Sequence, residues 1–549
     1  MKKDNRQRVF ISDWMSRRPY KNHSSVDVHY LQIANRVLKV ISTDSTCDEL
    51  IRIIGNEWLM PLSVFLTSYL EDIVSDTRIW ESFHIQHQNI YTSSLPFYPC
   101  EEYHADEVHL DVVKFLIWYF VNTVQQKTLV FPENNLIYTI GEKVYELLDE
   151  EWETAPENPL LKSCYHIDSD ETDYFKIRDI MEKLLFHSYL FHIDTGVRLL
   201  LSQKELVETS RFDPNFEIYF HGHVVECLHS FHTRLLNLQA KEWLAAILGE
   251  DHQLSKDITN MSKKINGYFL IKGEDKSHIL LEHIASAKKF KLIKESTKLK
   301  FTQQDRICYI SIVKWQGAWW NSGPLMEMDF DADLILDEKK SAESIASVSF
   351  LQHKVIDVQA DIDRQLEAFL QYNNGHHFAF MRINKIDQYC KDFMNFYSES
   401  LKLSHEEIAA SLKRAKEAGY INPSKNIKLQ SASIEDTGLV FFNPKSGIEI
   451  VENLNACFPM DHNPYYSNAD EKTITACINT LLMKDICSSG LVRHWIKLCK
   501  EKLVYFESAH GQYIYKNLDI LQRFWKVDNY NTVPTIAYTN EPNTNTEYQ

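Results

Sequence analysis

Through residue 262 the apolar side chains recur every three or four positions, the period of helices that pack by one face. Ser24 and Asp27 form a cap ahead of Val28, Leu31, Ile33, Ala34, Val37 and Leu38, which predicts an amphipathic helix. Asp48 to Val74 keeps the period and predicts a second helix interrupted at Pro61. Asp111 to Val124, Ile177 to Phe191 and Val224 to Leu248 continue it, so 1–262 is expected to be a mainly helical domain.

At Gly267 the period shortens to two. Gly267 to Lys272, His278 to Ile284 and Lys289 to Lys294 read as strands, the last alternating basic and apolar residues as a half-buried strand does. Ile307 to Val313 and Ala318 to Trp320 follow, joined by a Gln316-Gly317 turn and closed by Gly323-Pro324. Five short strands predict a small SH3-like or OB-like β-barrel within 263–341.

Over 342–534 the pattern is mixed. Helices are expected at Ile362 to Leu370, Ile383 to Tyr397, Asp470 to Lys484, Leu491 to Lys502 and Leu518 to Trp525. A Ser404/Glu407 capping box opens another helix, which Gly419 ends. Gly438 to Phe442 and Gly447 to Ile450 read as strands flanking an Asn443-Pro444-Lys445-Ser446 turn. Residues 535–549, rich in Thr, Asn and Pro, are expected to be a disordered tail. The chain is therefore expected to be α+β and multidomain: a helical N-terminal domain, a barrel and a mixed α/β C-terminal domain.

Charge alters this picture locally. The 549 residues carry a formal net charge of −17, which argues against a surface that binds nucleic acid or anionic membrane throughout. Between Lys263 and Lys314, however, twelve basic residues face five acidic ones, a local +7. Tyr268, Trp315, Trp319 and Trp320 are interleaved with or follow Lys289, Lys291, Lys294 and Arg306. Lysines that track phosphates beside rings that stack bases are the means by which barrels bind single strands. These eight residues are the ligand-binding candidates, with nucleic acid or another polyanion as the partner of 263–320. The competing reading is structural. Trp319 and Trp320 point to opposite faces of a strand, so one fills the core, and strand lysines also discourage edge pairing. From Glu142 to Asp173, two basic residues face eleven acidic ones, a local −9. That stretch reads as a solvated acidic loop after a helix end, or as an internal partner for the basic module.

Other chemistry is sparse. The ten cysteines form no C-x-x-C pair, so they read as buried thiols of a cytoplasmic protein. The N-terminus lacks the apolar run of a secretory signal. Phe115 to Val121 is far shorter than the roughly 20 residues that span a bilayer, so it is expected to be a core helix segment and no membrane partner is assigned. Glycine-rich phosphate loops and nucleophile elbows are missing. Glu81/His84, Glu101/His104 and Glu226/His229 share the E-x-x-H spacing of di-iron helices, but a pattern this short arises by chance, and no metal or cofactor is assigned.

Asp329, Asp331 and Asp333 alternate. On a strand they would share a face and could hold a divalent cation, against the simpler reading of a solvated edge. Asp461-His462 offers an acid beside an imidazole, but the following Asn463-Pro464 marks a structural loop. Ser404 to Leu412 is similar to the first helix of a helix-turn-helix, with no recognition helix after it.

Several segments resemble a family of Bacteroidetes proteins known only as a domain of unknown function. They are Phe10 to Trp14 with Arg18 to Tyr20, Tyr30 to Asn35, Phe115 to Trp118, Gly317 to Trp320, Phe442 to Ile450 and Asp461 to Tyr466. The resemblance implies a bacterial cytoplasmic protein and carries no activity or catalytic residue. The leading expectation is a non-enzymatic binding or scaffold protein with a protein partner. The alternatives are nucleic-acid or polyanion binding through the barrel, and a metal-dependent enzyme using Asp329, Asp331 and Asp333. Substrate and oligomeric state are left open.

Overall fold

A computed structural model describes residues 8–531 apart from 101–102, 126, 214, 299–305, 342–343, 346, 352–357, 403 and 411–435. The chain is α+β and divides into two compact units, one comprising Met1–Ser262 with Trp315–Gly317, the other Lys263–Lys314 with Ala318–Gln549.

The first unit is helical. Ser24 caps the Ser25–Thr43 helix, accepting from the Asp27 amide, and the helix buries Tyr30, Ile33, Ala34, Val37 and Leu38. Val28 lies on the outer side, 41% exposed. The expected break at Pro61 falls instead at Gly55, whose φ of +90° ends the Cys47–Ile54 helix. Pro61 sits in the first turn of the Leu59–Ser75 helix, where a missing N–H disrupts no intrahelical bond. The Leu110–Val124 helix holds the apolar run and is buried from Val112 to Thr123. Ile177 to Phe191 divides into the Tyr174–Glu182 helix, a π-helical turn at Lys183–His187 and a short Tyr189–Phe191 helix. Val224 to Leu248 is likewise two helices, Phe216–Ser230 and Ala240–Leu248. Leu236 and Asn237, both at positive φ, turn the chain between them. The acidic stretch starts inside a helix, Asn135–Trp152, and not in a loop. Of its eleven acids, Glu150 and Glu151 are engaged by Arg36, Glu171 by Lys176, and Asp173 as the cap of Tyr174–Glu182. Among the described residues no single helix is long and apolar enough to cross a membrane.

The second unit opens with five strands, β1 (Ile265–Glu274), β2 (His278–His283), β3 (Lys289–Ile293), β4 (Arg306–Trp315) and β5 (Ala318–Met328). They close a barrel in the order β1-β2-β3-β5-β4, with β1 and β4 antiparallel and β3 parallel to β5. This is the order of an OB-type barrel, which decides between the two expected types. A register shift between Ile271 and Gly273 lets β1 bend and pair with both neighbours. Ile265, Phe269, Ile279, Leu281, Phe290, Leu292, Cys308 and Ile310 fill the interior. Gln316 and Gly317 form the expected turn at φ +45° and +83°, as a tight hairpin demands. β5 runs through Gly323-Pro324 to Met328 instead of ending there.

Farther along, β6 (Phe378–Arg382), β7 (Thr437–Asn443) and β8 (Gly447–Glu452) form an antiparallel sheet in that order. β6 escaped the sequence reading because Phe378 to Arg382 is short and lacks alternation. The central strand β7 is buried on both faces. Val440 and Phe442 pack with Ile362, Phe369, Ile386 and Phe393 of the Val358–Tyr372 and Ile386–Ser400 helices. Phe441 stacks on Phe378 on the other side. Helices Glu471–Met483, Ser489–Cys499, Ala509–Lys516 and Leu518–Trp525 complete the unit. Ser404 and Glu407 make the expected capping box. The rest of that helix from 411, its Gly419 end and the 535–549 tail lie outside the described residues.

Candidate functional site

The eight candidates of the basic module occupy distinct settings. On β3, Phe290 and Leu292 turn into the barrel and leave Lys289 and Lys291 on the outer face, both exposed. Their partners across β2 are Glu282 and Leu280. Neither ammonium has an ion-pair or hydrogen-bond partner among the described residues. Lys294 pairs with Glu274 at 3.1 Å. Arg306 pairs with Glu327 at 3.2 Å and reaches Asp329 at 3.8 Å. Two of the four candidate cations, Lys294 and Arg306, are thus met by carboxylates.

The rings are dispersed. Tyr268 lies on the outer face of β1, edge-on to Tyr309 of β4 at 4.9 Å, and the Tyr309 hydroxyl accepts from Asn266. Trp319 packs edge-on against Phe290 at 5.0 Å and joins the barrel core. Strand alternation therefore turns Trp320 outward, where it is half-buried. Trp315 is 1% exposed. It belongs to the first unit, where its indole N–H donates to the Thr172 carbonyl at 3.0 Å. Of the eight, only Lys289, Lys291 and Trp320 share the outer side of the adjacent strands β3 and β5.

The three aspartates do not converge. Asp329 is fully exposed beyond the end of β5, and Asp331 caps the Ala332–Lys340 helix by accepting from the Asp333 and Leu334 amides. The shared face required a strand, and Asp331 starts a helix instead. Among the described residues no three His, Cys, Asp or Glu side chains are grouped to hold a metal. The E-x-x-H members make other bonds: Glu81 pairs with Arg78, the His84 ring meets the Ser94 carbonyl at 2.9 Å, and the His229 ring meets the Tyr174 hydroxyl. Burial holds His84 below the usual histidine range. His462 stacks on His376 at 3.6 Å and its Nε2 bonds the Phe378 carbonyl. Asn463, 3% exposed, donates to the Asn455 and Phe458 carbonyls, so this segment is a structural loop.

The sequence reading passed over a second cationic group, Lys445, Arg493, Lys497 and Arg523, which line one cavity of the second unit. The only signal along the chain was local. Gly490, Arg493, His494 and Lys497 follow the i, i+3, i+4, i+7 spacing of one helix face. Lys445 and Arg523 come from remote segments, and no spacing rule connects them.

No curated protein and no solved structure matches the chain. A family model does match, over residues 8–302, which takes in the helical unit and β1 to β3 of the barrel. Since that is more than half of 549 residues, the chain belongs to the family described as protein of unknown function, DUF3843.

Proposed function

We propose that this is a bacterial cytoplasmic binding protein, of Bacteroidetes origin as the segment resemblance implies, whose barrel takes a single-stranded nucleic acid across β3. One observation carries the reading: Lys289 and Lys291 stand exposed on one strand face with no partner among the described residues. Two positions along a strand separate them by about 7 Å, the scale on which successive phosphates of an extended single strand follow one another. Trp320 on the neighbouring strand faces the same side by strand alternation and adds a ring on which a base can stack. An OB-type strand order supports the choice, since the β2–β3 face of such barrels accepts extended polymers. The cytoplasmic part rests on ten free cysteines, eight of them buried.

The test is anisotropy of a labelled single-stranded oligonucleotide with the full chain at low salt. Two lysine contacts predict a log-log salt slope of about −1.4, at roughly −0.7 per phosphate. Lys289→Glu with Lys291→Glu should weaken binding at least tenfold. Absence of binding at low salt, or a double variant that binds as the wild type does, defeats the reading.

A further inference from the structure

The turn between β7 and β8, the start of the Ser489–Cys499 helix and the Leu518–Trp525 helix surround a cavity of about 530 Å³. That volume is in the range of small-ligand sites. Its charge is one-sided. Lys445 projects from the turn, Arg493 and Lys497 from the first helix and Arg523 from the second, and no acidic side chain is among the lining residues. In a chain of net charge −17 this is the reverse of the average surface. Arg493 and Lys497 are also four apart on one helix, which sets both cations on one face.

The packing behind the cavity explains how the cations are held. Leu491, Val492, Trp495, Ile496 and Cys499 bury the opposite face of the helix, which orients Arg493 and Lys497 outward. Asp519 receives both guanidiniums, Arg493 Nη2 at 2.6 Å and Arg523 Nε at 3.1 Å, and so holds the two arginines on one carboxylate. Two carboxylates, Asp519 and the Glu449 that sits behind the helix start, stand against four cations, and the group stays positive. Lys445 and Lys497 have no ion-pair partner among the described residues.

Backbone geometry adds a donor. Gly490, in the first turn of the helix, lines the cavity, and its amide meets no acceptor among the described residues. The neighbouring Ser488 is already engaged, its N–H and hydroxyl donating to Glu449 at 2.5 and 2.7 Å. The Ser488 hydroxyl in turn accepts from the Leu491 amide at 3.0 Å and so caps the helix, while the Gly490 N–H is left at the cavity wall. A Cβ at Gly490 would stand 3.0 Å from Asn443 Nδ2, so glycine also permits the turn to approach the helix closely. The His494 Nε2 is buried beside the same face without a partner.

We propose that this cavity binds a small phosphorylated molecule, its phosphate held by Lys445, Lys497, Arg493 and the Gly490 amide. Arginine forks match phosphate oxygens in pairs, whereas the lysines act as point charges. The site is separate from the barrel face and does not depend on nucleic-acid binding there.

Isothermal titration of the full chain at low ionic strength with pyrophosphate, inorganic phosphate and sulfate tests this. The expected result is one pyrophosphate per chain, bound at least tenfold more tightly than sulfate. Lys445→Glu and Lys497→Glu should each weaken pyrophosphate at least tenfold. Both side chains are exposed, so both variants should keep the wild-type circular dichroism and melting transition. Lys289→Glu with Lys291→Glu should leave pyrophosphate affinity unchanged, which separates this site from the barrel. No binding of millimolar pyrophosphate, equal binding of sulfate, or full affinity in folded Lys445→Glu and Lys497→Glu overturns the proposal.

Discussion

Replacing Arg18 with Met would strip the counter-charge from one of the most buried carboxylates of the first unit. Arg18 Nη1 lies 2.6 Å from Glu71 Oε2, with the two side chains 4% and 0% exposed. The approach is close but off-axis, so the contact is more coulombic than hydrogen-bonded. Asn158 donates to the other Glu71 oxygen at 2.8 Å. The guanidinium also covers the Trp14 ring at 3.6 Å, and a Met side chain keeps part of that apolar contact. Removing one partner of a buried pair costs about 3–5 kcal/mol. With the Asn158 bond kept, the lower end, about 3 kcal/mol, is expected at neutral pH.

The pH dependence gives a second handle. Burial raises the Glu71 carboxyl above its ordinary range, and Arg18 opposes this. Without Arg18 the rise is larger, so the native state holds a proton that the unfolded chain has released. Stability then falls as pH increases through the window above the ordinary carboxylate range. Asp72, also raised by burial, tilts both proteins alike and cancels in the comparison. Urea unfolding followed by tryptophan fluorescence at about pH 5 and about pH 8 should show the smaller loss at the lower pH. Glu71→Gln in the Arg18→Met background should recover most of it. A loss under about 1 kcal/mol at the higher pH, an equal loss at both, or no recovery in the double variant would refute the reasoning.

Two further outcomes follow from single sites. Burial, with a smaller contribution from Lys288, lowers the His283 imidazole from 6.5 to about 4. The unfolded chain therefore takes up a proton that the barrel refuses, and stability is lost as pH falls from about 6.5 to about 4. His283→Phe, against Phe269 at 5.0 Å, should flatten that acid-side loss in melting curves, and an unchanged slope would contradict it. Gly317 sits at φ +83°, and a β-methyl there would have nothing within 4 Å. Gly317→Ala should thus cost only the left-handed backbone term, about 1 kcal/mol, and a larger drop in melting temperature than that implies would point to lost contacts instead.

Local physics was legible in the sequence wherever one segment contains the whole cause. Ser24 with Asp27 starts a helix because the cap needs only residues three apart, and Gln316-Gly317 turns because the tight hairpin needs positive φ at both positions. Alternation along Lys289 to Ile293 put the lysines outside and Phe290 and Leu292 inside without knowledge of any partner strand. Failures arose where two breakers compete, as when Gly55 and not Pro61 ended a helix. A proline is harmless in a first turn, but a sequence does not say where that turn begins. Tertiary structure alone decided the barrel's strand order, the burial of Trp315 against Thr172, and the meeting of Lys445, Arg493, Lys497 and Arg523. Those depend on which distant surfaces bury one another, and burial is a property of the whole packed unit that no local spacing encodes.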